Sequence, residues 1–521
     1  MSQHLNTIKA VTFTHLSSLK MQEVINDENK AISNYADIFR SYFDCHEEIS
    51  RCFFYVDVCF KEVIQNTILK ASLKQDRNFK FEIEADLLNE EEKIKNILNA
   101  AKDTVQSRVP QEIPFVFIGL TELLQVVNNI VKVDKTLLKK LRGKDNKFTY
   151  DSPKFVESVI RIARGTVPHL GLCPIVRFDE DVQPNPKGLR EIISTYKSQC
   201  LRKTMYFFSG SYGHVSDPDF WNPLNNHAVR THWFYDVDTP VDENGIPDVH
   251  RDKISELKKK TTHFLSDFES IGAVQLNKDV QFSQAAGLPA IVRRKSTQVI
   301  SGAGLVMSTK AIRFLPPFMN FNTLTTWTDD FLKRLLHEMV GDVKPADEEN
   351  KLSAKFIQLR HVKKGKITQE DIDKAELYFE RVLRGCLMKS CIQNDDDGTP
   401  TLFSNCIRDI VYYNKYSTTR ERLRQYLLSV MESKYDKVLR CWSSNEFSRS
   451  LSYDWAKSRL VDKMDCSKKK SEKDTVRKKI IRSLTSDLLE YIDLVKVWPI
   501  FVRAIDRLDI LGNRWLFSYT N

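Results

Sequence analysis

Ile175-Val176-Arg177-Phe178-Asp179-Glu180-Asp181-Val182-Gln183-Pro184-Asn185 is an apolar run that passes directly into two carboxylates two residues apart. Cys173-Pro174-Ile175-Val176-Arg177-Phe178 predicts a short strand, and Leu189 to Tyr196 predicts a helix after the turn at Pro184. At a strand end, a turn can bring Asp179 and Asp181 together around one hard cation through oxygen ligands. Open α/β sheets bind ligands at the carboxyl ends of their strands. A divalent cation at that edge can neutralise a diphosphate leaving group. An isolated Asp-x-Asp triplet means little, because acidic triplets are common in solvated loops. The surrounding chain gives this one its weight.

Upstream, strand and helix patterns alternate. Cys52-Phe53-Phe54-Tyr55-Val56-Asp57-Val58 is rich in β-formers, and Phe60 to Lys74 has helical spacing. Phe79-Lys80-Phe81-Glu82-Ile83 alternates as a strand, and Glu90 to Gln106 repeats as a helix. Pro114 to Ile118 predicts a buried strand, with an apolar helix from Thr121 to Val131. Phe155 to Arg164 predicts a helix with Val156, Val159, Ile160 and Ala163 at core spacing. This alternation indicates an α/β sheet. Residues 1–45 read as a helical N-terminal extension.

Downstream, Met205 to Tyr212 predicts a strand that closes in a glycine turn. Val299-Ile300-Ser301-Gly302-Ala303-Gly304-Leu305-Val306-Met307-Ser308 predicts a strand with a glycine break, where backbone can approach a ligand closely. Trp327-Thr328-Asp329-Asp330 places an acidic pair at a helix start, and Lys355 to Arg360 predicts a strand that ends at His361. After about Gly365 the pattern becomes mostly helical, with a basic stretch from Lys468 to Lys479. These changes divide the chain into 1–45, a 46–368 α/β region with an insertion near 213–295, and a basic helical 369–521 region.

The 521 residues carry a net charge of +10, which fits an anionic ligand, an acidic membrane surface or nucleic acid and selects none of them. The ten cysteines include no Cys-x-x-Cys pair and read as reduced, structural thiols of a cytoplasmic protein. No secretory leader and no apolar run near the ~20 residues of a spanning helix is evident, so peripheral membrane contact is the most that is expected.

In this order, the motifs resemble the GT-A glycosyltransferases, especially the large inverting group with one nucleotide-sugar domain. The resemblance covers roughly residues 50–365 and implies a Rossmann-type nucleotide-sugar domain followed by helices. It implies that Asp179 and Asp181 hold Mn²⁺ or Mg²⁺, with His361 as a third ligand. Asp330, or else Asp329, would be the general base that deprotonates the acceptor hydroxyl, in concert with bond formation. Ser301, Gly302, Gly304 and Trp327 would line the acceptor or the sugar. Arg161 and Arg164 are candidates for phosphate contact, since guanidinium grips phosphate in a fork. The donor would be a nucleotide sugar, the acceptor a glycan, a lipid-linked sugar or a protein, and the outcome inversion.

Each assignment has a plainer counterpart. Asp329 and Asp330 could be helix-capping acids, His361 a structural strand end, and both arginines solvated helix residues. A second Asp-x-Asp at Asp236 and Asp238 follows a β-rich run, but turn residues succeed it. With Trp221, Trp233 and Tyr235 it could shape an acceptor pocket. Two other functions compete: a nucleotidyltransferase on a similar fold, or a non-catalytic scaffold using the basic helices. No glycine-rich phosphate loop lies near Val56–Asn66, which counts against the first. Nucleic acid is not an expected partner.

Overall fold

The computed structural model describes residues 8–16, 26–56, 85–108, 112–119, 152–163, 173–179, 182–200, 211–215, 305–307, 355–359, 399–443 and 470–508, with shorter pieces between them. Strand β1 (Ala10–Leu16) lies parallel between β2 (Ile49–Val56) and β4 (Ile175–Asp179). Strand β3 (Phe115–Ile118) extends the parallel array beyond β2. On the other side of β4, β9 (Leu305–Met307) pairs antiparallel, and β6 (Phe207–Phe208) pairs with β9. The sheet order is β3-β2-β1-β4-β9-β6. A second sheet, ordered β5-β10-β7-β8, is built from β5 (Val182–Gln183), β7 (Ser211–Val215), β8 (Phe282–Ser283) and β10 (Lys355–Leu359). The protein is of the α/β class.

This arrangement corrects the expectation for residues 1–45. Glu28–Phe43 is helical as expected, but Ala10–Leu16 is the strand that joins both halves of the parallel array. Ala10-Val11-Thr12-Phe13-Thr14-His15-Leu16 is dense in β-branched and aromatic residues, which suit a pleated ribbon. Both faces of the strand are covered, and Thr14 answers the polarity of its position by a 2.6 Å hydrogen bond between its Oγ1 and the Tyr42 hydroxyl.

Helix α1 (Glu28–Phe43) starts where Asp27 accepts a hydrogen bond from the Lys30 amide, with Glu28 in its first turn and Arg40 in its last. Ala31, Tyr35, Ala36, Phe39, Tyr42 and Phe43 form its buried stripe. With α2 (Ala85–Gln106) it covers one face of the sheet. The ring of Phe39 lies 5.0 Å from that of Phe54 and 5.2 Å from that of Phe115, and Phe43 stacks on Phe115 at 4.9 Å. Each fully buried Phe contributes about 1.5–3 kcal/mol of hydrophobic stabilisation. Val176 and Phe178 of β4 belong to this core. Side chains alternate along a strand, so Arg177 and Asp179 project to the opposite face.

That opposite face receives α3 (Ser152–Ala163), the helix expected over Phe155 to Arg164. Past β5, Asn185 caps α4 (Pro186–Thr195) by accepting from the Gly188 amide at 2.8 Å, and Pro186 occupies the first turn. The C-terminal region contains α5 (Leu402–Tyr413), α6 (Arg420–Ser443) and α7 (Lys470–Leu508). Thr401 caps α5, and Asn414 ends it in the left-handed conformation at φ 49°. All three helices pack together, and α7 also lies against α3. Among the described residues no helix is long and apolar enough to cross a membrane.

Candidate functional site

Connections from β1 lead to β2 and β3 on one side and to β4 on the other. In open α/β sheets, ligands are taken beside a reversal of this kind, at the carboxyl ends of the two strands. Asp179 is the last residue of β4, at this edge, with its side chain 42% exposed. His15 of β1 stands beside it in register, and Tyr55 of β2 stands beside His15. The His15 and Tyr55 rings stack with centroids 5.7 Å apart. The three side chains share one face of the sheet, the face toward α3.

Behind Asp179 runs a line of alternating charge. The Arg177 Nη2 lies 3.4 Å from Asp179 Oδ1, and its Nη1 lies 3.6 Å from Glu157 Oε2. Glu157 Oε1 contacts Arg161 Nη2 at 2.6 Å and accepts from Arg161 Nε at 2.8 Å. Arg161 Nη1 then donates to the Ile175 carbonyl at 2.8 Å. Glu157 and Arg161 lie one helical turn apart on α3, so both reach the same strand. Arg161 is 1% exposed and Arg177 7% by side chain. Two negative and two positive groups thus compensate one another where uncompensated burial would cost several kcal/mol per ion.

This geometry corrects the expectation for Arg161. Its guanidinium is committed to Glu157 and to the backbone of β4, inside the protein, and it is not presented to a phosphate. Arg164, Asp181, Ser301, Gly302, Gly304, Trp327, Asp329, Asp330 and His361 lie outside the described residues, as do Asp236 and Asp238. The strand that precedes His361 is β10. It pairs antiparallel with β5, Gln358 opposite Val182, so its carboxyl end runs back toward the end of β4. Among the described residues no group of three or more metal-ligating side chains occurs. The chemistry of the described donor fits a hard divalent cation: an oxygen ligand, partly exposed, at a strand end.

Sequence reasoning passed over His15 and Glu157, and quoted Tyr55 and Arg177 without giving them a role. Two signals were available. A strand-end histidine follows the β-rich run Val11 to Thr14, and a charged Arg177 interrupts an otherwise apolar strand. Comparison with known proteins returns no matching family, no matching curated protein and no matching solved structure.

Proposed function

We propose that this chain is a metal-dependent transferase that takes a nucleotide-diphosphate donor in the crevice at the carboxyl ends of β1 and β4, with glycosyl transfer to a hydroxyl acceptor as its reaction. The observation that carries this reading is the place of Asp179: a partly exposed carboxylate ending a parallel strand where the sheet order reverses. Asp179 and Asp181 would hold Mn²⁺ or Mg²⁺, with His361 as a third ligand. The bound cation would supply charge neutralisation at the departing diphosphate. Support for a GT-A-like fold comes from the four parallel strands, the antiparallel β9 beside β4, and the small second sheet that starts directly after the acidic motif.

The remaining roles fall to the chain itself. His15, half-buried and backed by the buried ring of Tyr55, would stand beside the donor next to Asp179. Asp330 or Asp329 would accept the proton of the attacking hydroxyl, and Ser301, Gly302, Gly304 and Trp327 would line the acceptor or sugar side. The acceptor would be a glycan, a lipid-linked sugar or a protein.

The test is incubation of the full chain with Mn²⁺ and a panel of nucleotide sugars, with chromatography of the nucleotide products. Release of a nucleoside diphosphate, lost in Asp179→Asn, is the expected result. Release of pyrophosphate from nucleoside triphosphates instead would replace glycosyl transfer by nucleotidyl transfer at the same site.

A further inference from the structure

We propose that the C-terminal helices carry a docking surface for an anionic lipid bilayer, formed by the end of α5, the turn that follows it and one face of α7. The inference stands apart from the transfer chemistry.

Most of α7 is committed to the interior. Leu484, Leu488, Ile492, Trp498 and Phe501 are fully buried, and the helix packs on α3, α5 and α6. Its apolar side is therefore not free to lie in a membrane as that of a surface-bound amphipathic helix does. What α7 leaves outside toward its end is cationic. Lys496, Arg503 and Arg507 are exposed at spacings of seven and four residues, which brings them to one face. Among the described residues, neither Arg503 nor Arg507 pairs with a carboxylate. Lys496 lies 3.7 Å from the centroid of the Tyr416 ring, and this contact joins the face to the turn after α5.

That turn presents two aromatic rings. Tyr413 is 62% exposed and Tyr412 39%, and the only other large exposed hydrophobic side chain among the described residues is Leu88 of α2. Exposed Arg408 precedes Tyr412 by one helical turn, and exposed Lys415 follows Tyr413 by two residues. Tyrosine has an apolar body and a polar tip, so it settles at the level of lipid headgroups. Lysine and arginine beside it are attracted to an anionic leaflet.

The charge balance favours the same partner. From Arg408 to Arg420 and from Asp493 to Arg507 the chain carries six cations and three carboxylates. Asp493 is taken up by Arg420 and Lys496, and Asp506 by the fork of Arg313. Asp409 accepts from the Ser417 hydroxyl. A single-stranded nucleic acid would also be drawn to cations, but it stacks successive bases on open ring faces. The Tyr412 and Tyr413 rings, 6.5 Å apart and tilted by 56°, do not form such a stack.

The test is flotation of the full chain with vesicles of phosphatidylcholine alone and with about one third phosphatidylserine. Binding to the anionic vesicles only, weakened by salt, is the expected result. Each cation removed should weaken it about fivefold, so Lys415→Gln costs about fivefold and Arg503→Gln with Arg507→Gln about 25-fold. Tyr413→Ala should weaken it further, and Tyr413→Trp should restore it. Lys30→Gln with Arg40→Gln removes two exposed cations of α1 instead and should leave binding nearly unchanged. Thermal melts show that each variant is folded, and the Lys415 and Tyr413 variants test the surface without touching α7. The inference is overturned if the wild-type chain does not float with anionic vesicles, or if the α1 pair weakens binding as much as the α7 pair. It is equally overturned if Tyr413→Ala changes nothing, or if an unstructured oligonucleotide binds more tightly than the anionic vesicles, which would make the partner a nucleic acid.

Discussion

His15 and Asp179 stand side by side at the carboxyl ends of two hydrogen-bonded parallel strands, although about one third of the chain separates them in sequence. Backbone pairing fixes their neighbourhood, so neither side chain has to be ordered by a ligand to share the crevice. The Tyr55 ring backs that of His15 and limits its orientations. Pre-ordering of this kind lowers the entropy cost of binding.

His15→Ala is therefore expected to act mainly on binding. Loss of the ring contact with Tyr55 should cost about 1 kcal/mol of stability. Loss of the half-buried ring beside Asp179 should weaken nucleoside diphosphate binding in Mn²⁺ by about five- to tenfold. Urea melts of the free protein and calorimetric titration give the two quantities. Unchanged diphosphate affinity would remove His15 from the site.

Arg161→Met is expected to have the reverse profile. Breaking a buried ion pair typically costs ~3–5 kcal/mol. Glu157 retains Arg177, so the lower end, about 3 kcal/mol, is expected in a urea melt. Diphosphate affinity of the folded fraction should stay within about twofold. A large loss of affinity without loss of stability would return Arg161 to the phosphate role that the sequence suggested.

Gly119 closes β3 against a carboxylate. A Cβ at this position would lie 2.2 Å from Glu91 Oε1, an impossible approach. Glu91 cannot withdraw freely, because Lys95 holds it at 2.5 Å and the Thr121 amide donates to it. Glu122 accepts from the Gly119 amide and from Lys95, both at 2.8 Å. Gly119→Ala should destabilise the protein by about 1–3 kcal/mol. Adding Glu91→Ala to Gly119→Ala should recover part of that loss, as a double-mutant cycle by thermal melting would show.

Alkaline pH should destabilise the protein from about pH 9 upward. Burial pushes the Cys52 thiol up to about 12, and it raises those of Cys45 and Cys391 well above the ordinary 9.0. In the unfolded chain these thiols ionise near their ordinary value, while in the folded protein they keep their protons. The folded state then binds more protons, so stability is intact below pH 9 and falls as pH rises toward the folded values. The slope can reach about 1.4 kcal/mol per pH unit for each thiol. Urea midpoints between pH 8 and 11 test this, and replacing Cys52 by Ala should flatten the slope by one thiol's share.

Most of the sheet was legible where apolar content was unbroken. Ile49–Val56, Phe115–Ile118 and Ile175–Asp179 all form strands close to where β-formers cluster, and α2 starts only about one turn before its expected start. Strand β1 was misread because Thr12, Thr14 and His15 dilute its hydrophobic signal. Their compensation, a tyrosine hydroxyl on α1 and a ring on β2, lies far away in sequence. Arg161 was misread for a related reason. Helical spacing shows which residues share a face, but here the partners that bury the guanidinium include a strand carbonyl. The place of Asp179 was legible because it is local: a carboxylate at the end of an apolar strand.

The central position of β1 also has a bearing on biosynthesis. Among the described strands of the sheet, the central one is made before its neighbours, and its pairing edge for β4 stays unmatched until Val176 follows Thr12 by 164 residues. At ~5–20 residues per second, that wait is roughly 10–30 s on the ribosome. An exposed strand edge during such an interval invites pairing with other chains. Changes in β1 should accordingly lower the yield of soluble protein more than equal changes in α7, even where the finished fold is equally stable.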